Sequence, residues 1–212
     1  MIRVLIADDH PMVRKGLAQM VAETEDLESA GEADNYASVS RALRVRPVDV
    51  LLLDVEMPGK NGLEILKAVR RTHPKLQVLM FSMYPEEQYA VRALKAGAAG
   101  YLTKNTPPQK VLEAIRNAAR GRKYISPELA QTLASRMSED VADGRLAHEI
   151  LSDREFQTLR FIAGGKKLAE IANEMSLSPK TVSVYRARLL EKMKLRNNAE
   201  LTRYAIRNQL VE

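Results

Sequence analysis

Through about residue 120 the chain alternates two patterns of apolar positions. The first is a set of short, nearly continuous runs: Ile2-Arg3-Val4-Leu5-Ile6-Ala7, Val48-Asp49-Val50-Leu51-Leu52-Leu53, Leu76-Gln77-Val78-Leu79-Met80-Phe81 and Ala99-Gly100-Tyr101-Leu102-Thr103. Their length and continuity predict buried strands, and a further short strand is expected at 28–31. Between them, apolar residues recur every three or four positions, as on a helix face. The first such segment turns Val13, Leu17, Met20 and Val21 inward. Others are predicted at 37–45, stopping before Pro47; at 62–72, with Leu63, Leu66 and Val69 on one face and Pro74 beyond; and at 86–96, ended by Gly97. A last one, at 108–120, turns Val111, Leu112, Ile115 and Ala119 inward and has Gly121 as its C-cap. This alternation predicts an α/β doubly wound five-stranded parallel sheet with helices on both faces. The run at 49–53 is apolar almost throughout, as a central strand covered on both sides should be.

Beyond residue 123 the strand pattern ends. Ser126-Pro127 caps a helix reaching about Met137, and 138–148 is a polar linker containing Asp140, Asp143, Gly144 and Arg145. After 151 only helical patterns remain, at 153–163, 168–175, 179–193 and 198–208. The expected organisation is a first domain at 1–122, a helix and linker at 123–150, and a small all-α domain at 151–212.

The strand-like runs end in chemistry. The first leads into Asp8 and Asp9, the third into Asp54, the fourth into Ser82 and the fifth into Lys104. In an open parallel sheet, ligands bind beyond the carboxyl ends of the strands. If these runs are parallel neighbours, three carboxylates, a hydroxyl and an ammonium meet in one pocket. Clustered carboxylates repel one another, and a hard cation such as Mg²⁺ offsets that cost. Such a set suits phosphoryl chemistry better than acid/base hydrolysis.

Composition narrows the classes. A chain of 212 residues accommodates one large domain or two small ones. With no cysteine, disulfides, thiol catalysis and thiolate metal sites are excluded, and a reducing cytoplasm is the expected location. The N-terminus enters a strand-like run at once, without the pattern of a signal peptide. No apolar run approaches the roughly 20 residues of a membrane helix, so no membrane partner is expected. The net charge is +6 and is unevenly placed: residues 151–212 hold 12 Lys/Arg against 7 Asp/Glu, and residues 1–150 hold 21 against 20. The basic C-terminal part suits a polyanion such as DNA.

Asp8, Asp9, Asp54, Ser82 and Lys104, in this order and spacing, resemble the receiver domain of two-component response regulators, a flavodoxin-like fold. That resemblance implies Asp54 as phosphoacceptor. It implies Mg²⁺ held by Asp8, Asp9, Asp54 and the backbone carbonyl of Glu56, with Lys104 contacting the phosphoryl group and Ser82 as the hydroxyl that moves toward it. It makes Tyr101 the aromatic switch that turns inward with Ser82. Many members follow the lysine with a cis proline, whereas Asn105 stands here. His10, His73 and His148 are scattered and read as structural.

The C-terminal part carries Leu151-Ser152-Asp153-Arg154-Glu155, Ile162-Ala163-Gly164-Gly165, Glu170-Ile171-Ala172, Leu177-Ser178-Pro179-Lys180-Thr181-Val182 and Lys192-Met193-Lys194-Leu195. It resembles the LuxR-type helix-turn-helix, and the whole chain resembles the NarL/FixJ class of response regulators. Ser178 reads as an N-cap and Pro179 as the first helical residue. At about 100° per residue, Val182, Tyr185, Leu189 and Met193 share one face. The opposite face shows Lys180, Ser183, Val184, Ala187 and Glu191, with Arg188 at its edge, and would enter the major groove. Lys166, Lys180, Thr181 and Lys192 are assigned to phosphates. Where the family commonly has histidine this chain has Tyr185, and where it often has lysine Ser183 stands. The central groove face offers no Arg, Asn or Gln, which shifts the expectation toward backbone and shape readout. In this family the last helix pairs the DNA-binding domains, which would assign Leu201, Tyr204, Ala205 and Asn208 to dimerisation. The other reading of that stripe is closure of the helical core.

The resemblance implies a cytoplasmic transcription regulator rather than an enzyme. A sensor histidine kinase phosphorylates Asp54, the product dimerises on double-stranded promoter DNA, and RNA polymerase is a further expected partner. One alternative is a DNA-binding regulator of the same fold that works without phosphorylation. A flavodoxin-like or phosphatase enzyme ranks lower, because no glycine-rich nucleotide loop follows the first strand and no general base lies near Asp54.

Overall fold

The computed structural model describes residues 1–139 and 146–211. The linker residues Asp140, Asp143, Gly144 and Arg145 lie outside the described residues. Two compact units divide at Ala130 and Gln131.

The first unit has the expected alternation. Its strands are β1 (Ile2–Ala7), β2 (Leu27–Ala33), β3 (Val50–Leu53), β4 (Gln77–Ser82) and β5 (Gly100–Thr103). They pair in parallel in the order β2-β1-β3-β4-β5. Five helices connect or follow them: α1 (Pro11–Ala22), α2 (Tyr36–Val45), α3 (Gly62–Thr72), α4 (Glu86–Lys95) and α5 (Pro108–Ala119). β2 is longer than its sequence pattern because its outward positions are polar; only Leu27, Ala30 and Ala33 are buried. Its register to β1 shifts once, where Leu5 pairs with Gly31 rather than Ala30. Gly31 has φ +130 there, a conformation that favours glycine.

Side chains alternate across the sheet. Val4, Ile6, Val50, Leu52, Leu79, Phe81 and Leu102 form one core with Leu17 and Val21 of α1 and Val111, Ala114, Ile115 and Ala118 of α5. The alternate residues Leu5, Leu51, Leu53, Val78, Met80 and Tyr101 are also buried. This order places the switch point, where successive crossovers leave in opposite directions, between β1 and β3. The ends of β1 and β3 carry Asp8 and Asp54.

After α5, Gly121 takes φ +74 and turns the chain back along the sheet edge. Tyr124 N–H donates to the Ala99 carbonyl at 2.8 Å. Ser126 then caps helix α6 (Pro127–Glu139), its Oγ accepting from Leu129 N–H at 3.0 Å.

The second unit is helical. A single 3-10 turn, Ala147–Ile150, lies where a polar linker was expected, and leads into α7 (Asp153–Ala163). Then come α8 (Leu168–Glu174), α9 (Pro179–Met193) and α10 (Asn198–Arg207). Phe156, Leu159, Ile171, Val182, Leu189, Leu201 and Ala205 make its core, each at most 0% exposed. Ser178 caps α9 by accepting from Thr181 N–H at 3.1 Å, and Pro179 is its first residue. No helix among the described residues is long and apolar enough to cross a membrane.

Candidate functional site

The ladder itself brings the acidic residues together. Asp54 N–H donates to the Ala7 carbonyl at 2.8 Å, so the third strand extends one residue beside the end of β1. Lys104 N–H donates to the Ser82 carbonyl at 2.7 Å, which does the same for β5 and β4. Lys104 Nζ then reaches across the edge, 2.6 Å from Asp8 Oδ2 and 2.7 Å from Asp54 Oδ2. All three side chains are nearly dry, 2% exposed for each carboxylate and 6% for the ammonium. Ser82 is buried at the end of β4, and its Oγ accepts from Tyr84 N–H at 3.3 Å.

Two carboxylates facing one ammonium leave a negative charge over. Burial pushes the Asp54 carboxyl up to about 6, against the pull of Lys104 and with a further push from Asp8. Burial pushes Lys104 down, but the Asp54 and Asp8 carboxylates outweigh it and hold the ammonium above its ordinary value. Asp54 Oδ1 accepts from Glu56 N–H at 3.2 Å.

The residues fit a hard cation. Ligand atoms of Asp8, Asp9, His10 and Asp54 all lie within 4.8 Å of one another. Asp8 Oδ2 is buried and accepts no hydrogen bond of regular geometry, its close neighbour being the Lys104 ammonium. Carboxylate oxygens are the donors Mg²⁺ takes. His10, read as structural from sequence, sits in this cluster, with Nδ1 2.7 Å from Asp9 Oδ1 and 3.3 Å from Asp8 Oδ1. Its position directly after the two aspartates was the available signal.

Around the pocket the structure adds contacts with no sequence signature. The Tyr84 hydroxyl bonds the Glu56 carboxylate, joining the loops that follow β4 and β3. Tyr101 is fully buried, and its hydroxyl donates to the Tyr84 carbonyl at 2.9 Å. The residue expected to act as the switch is thus bonded to the loop that follows Ser82. Gly62 approaches the Asp54 loop so closely that a Cβ would lie 1.9 Å from the Asp54 carbonyl oxygen.

In the second unit α9 has the expected two faces. Val182, Leu189 and Met193 are buried and Tyr185 is half-buried, while Lys180, Ser183, Val184, Ala187 and Arg188 are exposed. The Thr181 hydroxyl lies 2.8 Å from Ser178 Oγ, within the cap. Two lysines assigned to phosphates are engaged inside the unit. Lys192 Nζ donates to Glu155 Oε2 at 2.7 Å, and Lys166 Nζ lies 2.7 and 2.5 Å from the two oxygens of Glu174.

Two residues of the stripe assigned to dimerisation need correction. Leu201 and Ala205 are fully buried on the side of α10 that packs on α7, so they have no surface to offer a second copy. The Tyr204 hydroxyl accepts from His148 N–H at 3.2 Å and lies 2.9 Å from His148 Nδ1. Asn208 Nδ2 donates to the Tyr204 carbonyl at 2.8 Å. Leu201 and Ala205 close the helical core, because α7 offers the apolar face they need, while Tyr204 and Asn208 are half-buried.

Comparison with known proteins agrees with both halves. The response regulator receiver domain model matches residues 4–116, and the model for bacterial regulatory proteins of the luxR family matches residues 149–205. The response regulator GacA of Pseudomonas viridiflava is 39% identical over 100% of this chain and 99% of its own length. RcsB of Salmonella enterica serovar Typhimurium, solved bound to promoter rprA with the phosphomimetic BeF3-, superposes with a TM-score of 0.65 at 25% identity. It covers 96% of this chain and 97% of that one. A structure of two RcsB dimers bound to two parallel DNAs covers 100% and 99%, with a TM-score of 0.59 at 25% identity. With its parallel receiver sheet, its acidic pocket and its C-terminal helix-turn-helix, the chain belongs to the NarL/FixJ class of two-component response regulators, which join a receiver to a LuxR-type DNA-binding domain.

Proposed function

We propose that Asp54 is the phosphoacceptor of this regulator, that a sensor histidine kinase supplies the phosphoryl group, and that the modified chain dimerises on double-stranded promoter DNA to control transcription. The observation that carries the reading is the Lys104 ammonium lodged between the Asp8 and Asp54 carboxylates, 2.6 and 2.7 Å away. Such an ammonium is placed to stay beside Asp54 when one of its oxygens becomes the bridging oxygen of an acyl phosphate.

The chemistry follows from the residues. An Asp54 carboxylate oxygen attacks phosphorus. The new P–O bond forms as the P–N bond to the kinase histidine breaks, and the electron pair leaves with the imidazole. No base is required, since a group titrating near 6 is already ionised at neutral pH. Lys104 balances charge on the phosphoryl oxygens, and the Ser82 hydroxyl donates to one of them. Asp8, Asp9, Asp54 and the Glu56 backbone carbonyl would hold Mg²⁺, which when bound neutralises charge on the transferring group. Tyr101, bonded to the Tyr84 carbonyl at 2.9 Å, would couple the loop after Ser82 to β5.

The functional division is a receiver at 1–122, a helix and linker at 123–150 and a DNA-binding domain at 151–212. Exposed Lys180, Ser183, Val184, Ala187 and Arg188 are the DNA-facing residues of α9. The RcsB complexes with DNA support promoter binding and pairing, and RNA polymerase is the partner through which a bound regulator acts.

The test is incubation of the full chain with a small acyl phosphate or phosphoramidate donor and Mg²⁺. The expected product is one acid-stable, base-labile phosphoryl group per chain, absent from Asp54→Asn. An equal yield in Asp54→Asn would overturn the assignment. No adduct, with DNA binding intact, would leave a regulator that works without phosphorylation.

A further inference from the structure

Glu155 has two roles. In α7 it is the third helical residue of a capping box: Ser152 N–H donates to its Oε2 at 2.8 Å, and its own N–H donates to Ser152 Oγ at 3.3 Å. A capping box is complete with those two bonds. Here the same Oε2 also accepts from Lys192 Nζ at 2.7 Å, 37 residues further along the chain. Lys192 lies in the last turn of α9, one residue before the buried Met193 and two before Lys194, whose φ of 54 ends the helix. A single carboxylate oxygen therefore joins the first turn of α7 to the last turn of the helix that faces DNA.

The bond has an energetic and a geometric consequence. Burial pushes the Glu155 carboxyl up, but the Lys192 bond and the Ser152 N–H outweigh it, and the group stays below its ordinary value. The Lys192 side chain is 40% exposed, but its charge is offset within the domain by the buried Glu155 carboxylate, and drawing the ammonium away to a phosphate would weaken a charge-assisted bond and leave that carboxylate uncompensated. The packing of Val182, Leu189 and Met193 fixes how α9 lies on its neighbours, and the Lys192 bond pins its far end.

We propose that Glu155 is a positioning residue for DNA recognition: acting through Lys192, it holds the end of α9 and withholds that ammonium from the DNA backbone. The proposal rests on α9 being the DNA-reading helix. Its consequence is specificity. Each lysine that reaches phosphate strengthens binding to every sequence alike, so keeping Lys192 on Glu155 holds down binding to random DNA and leaves Arg188 and Val184 to discriminate.

The experiment measures the salt dependence of binding by the full chain on a random duplex and on one selected from genomic fragments by the wild-type protein. The variants are Glu155→Gln, Lys192→Met and the pair together. Glutamine keeps the capping box but removes the negative charge that offsets Lys192. Glu155→Gln should therefore steepen the log–log salt slope by roughly one unit, tighten binding to the random duplex and lower the preference for the selected one. Lys192→Met should leave the slope unchanged, and the double variant should return to the wild-type slope. A residue needed only for folding would weaken binding without steepening the slope. A slope flattened by roughly one unit in Lys192→Met would make Lys192 a phosphate contact and overturn the proposal. So would an unchanged slope in Glu155→Gln. Should Glu155→Gln fail to fold, as read by circular dichroism, the Lys192→Met slope decides alone. Failure of the wild-type chain to bind either duplex at any salt would instead remove the DNA-reading role of α9, and the proposal with it.

Discussion

Replacing Asp54 by asparagine should stabilise the metal-free receiver, although it removes the proposed reactive group. Asp54 is 2% exposed, and its carboxyl is raised from 3.8 to about 6 by burial and the Asp8 charge, despite Lys104. Each pH unit is worth about 1.4 kcal/mol, so keeping this group ionised in the folded state costs about 3 kcal/mol. Asparagine has nearly the same shape and can still accept from Lys104, but carries no charge. A folded-state value above the unfolded one means the cost is fully present above about 6 and absent below 3.8. Asp54→Asn should therefore gain about 1–3 kcal/mol at pH 8 in a chelator, shrinking to about 0.5 kcal/mol at pH 4. Scanning calorimetry of the two full-length chains at both pH values measures this, since the receiver transition should move while that of the helical unit stays put. Added Mg²⁺ should raise the wild-type transition more than the variant's. Equal receiver stabilities at pH 8, or a gain that persists undiminished at pH 4, would refute the idea of an electrostatically strained pocket.

Other substitutions test the surrounding structure. Gly62→Ala places a Cβ 1.9 Å from the Asp54 carbonyl oxygen, where backbone must shift; it should cost about 3 kcal/mol or more of receiver stability in urea and slow adduct formation at Asp54. Leu201→Ala should destabilise the helical unit by about 2–4 kcal/mol in thermal melts, because that side chain is fully buried; an unchanged melt with weakened self-association would restore it to the dimer contact. Arg188→Ala should cost about 1–3 kcal/mol on a selected duplex and less on a random one, read by titrating both.

Much of the fold was legible because its elements obey local rules. Apolar runs gave the strands, Gly97 and Gly121 marked helix ends, and Ser178-Pro179 marked the start of α9. The pocket was legible because it is built at strand ends, where Asp8, Asp54, Ser82 and Lys104 each follow an apolar run. What escaped depends on partners far apart in sequence. Nothing local in the sequence pairs Lys192 with Glu155, 37 residues away, to which its ammonium donates. Tyr84 and Glu56, 28 residues apart, meet only because β3 and β4 are neighbours. The stripe on α10 was visible as a stripe, but periodicity does not say whether an apolar face meets its own domain or a second copy. β2 was read short because polar outward positions interrupt its apolar ones.

The most direct test is recovery of genomic fragments by the full chain, sequenced with the Asp54 adduct present and absent. A phosphorylation-switched regulator predicts a discrete set of fragments enriched with the adduct, lost in Asp54→Asn and weakened in Arg188→Ala. The same set recovered equally well by the unmodified chain and by Asp54→Asn would contradict control of DNA binding through Asp54.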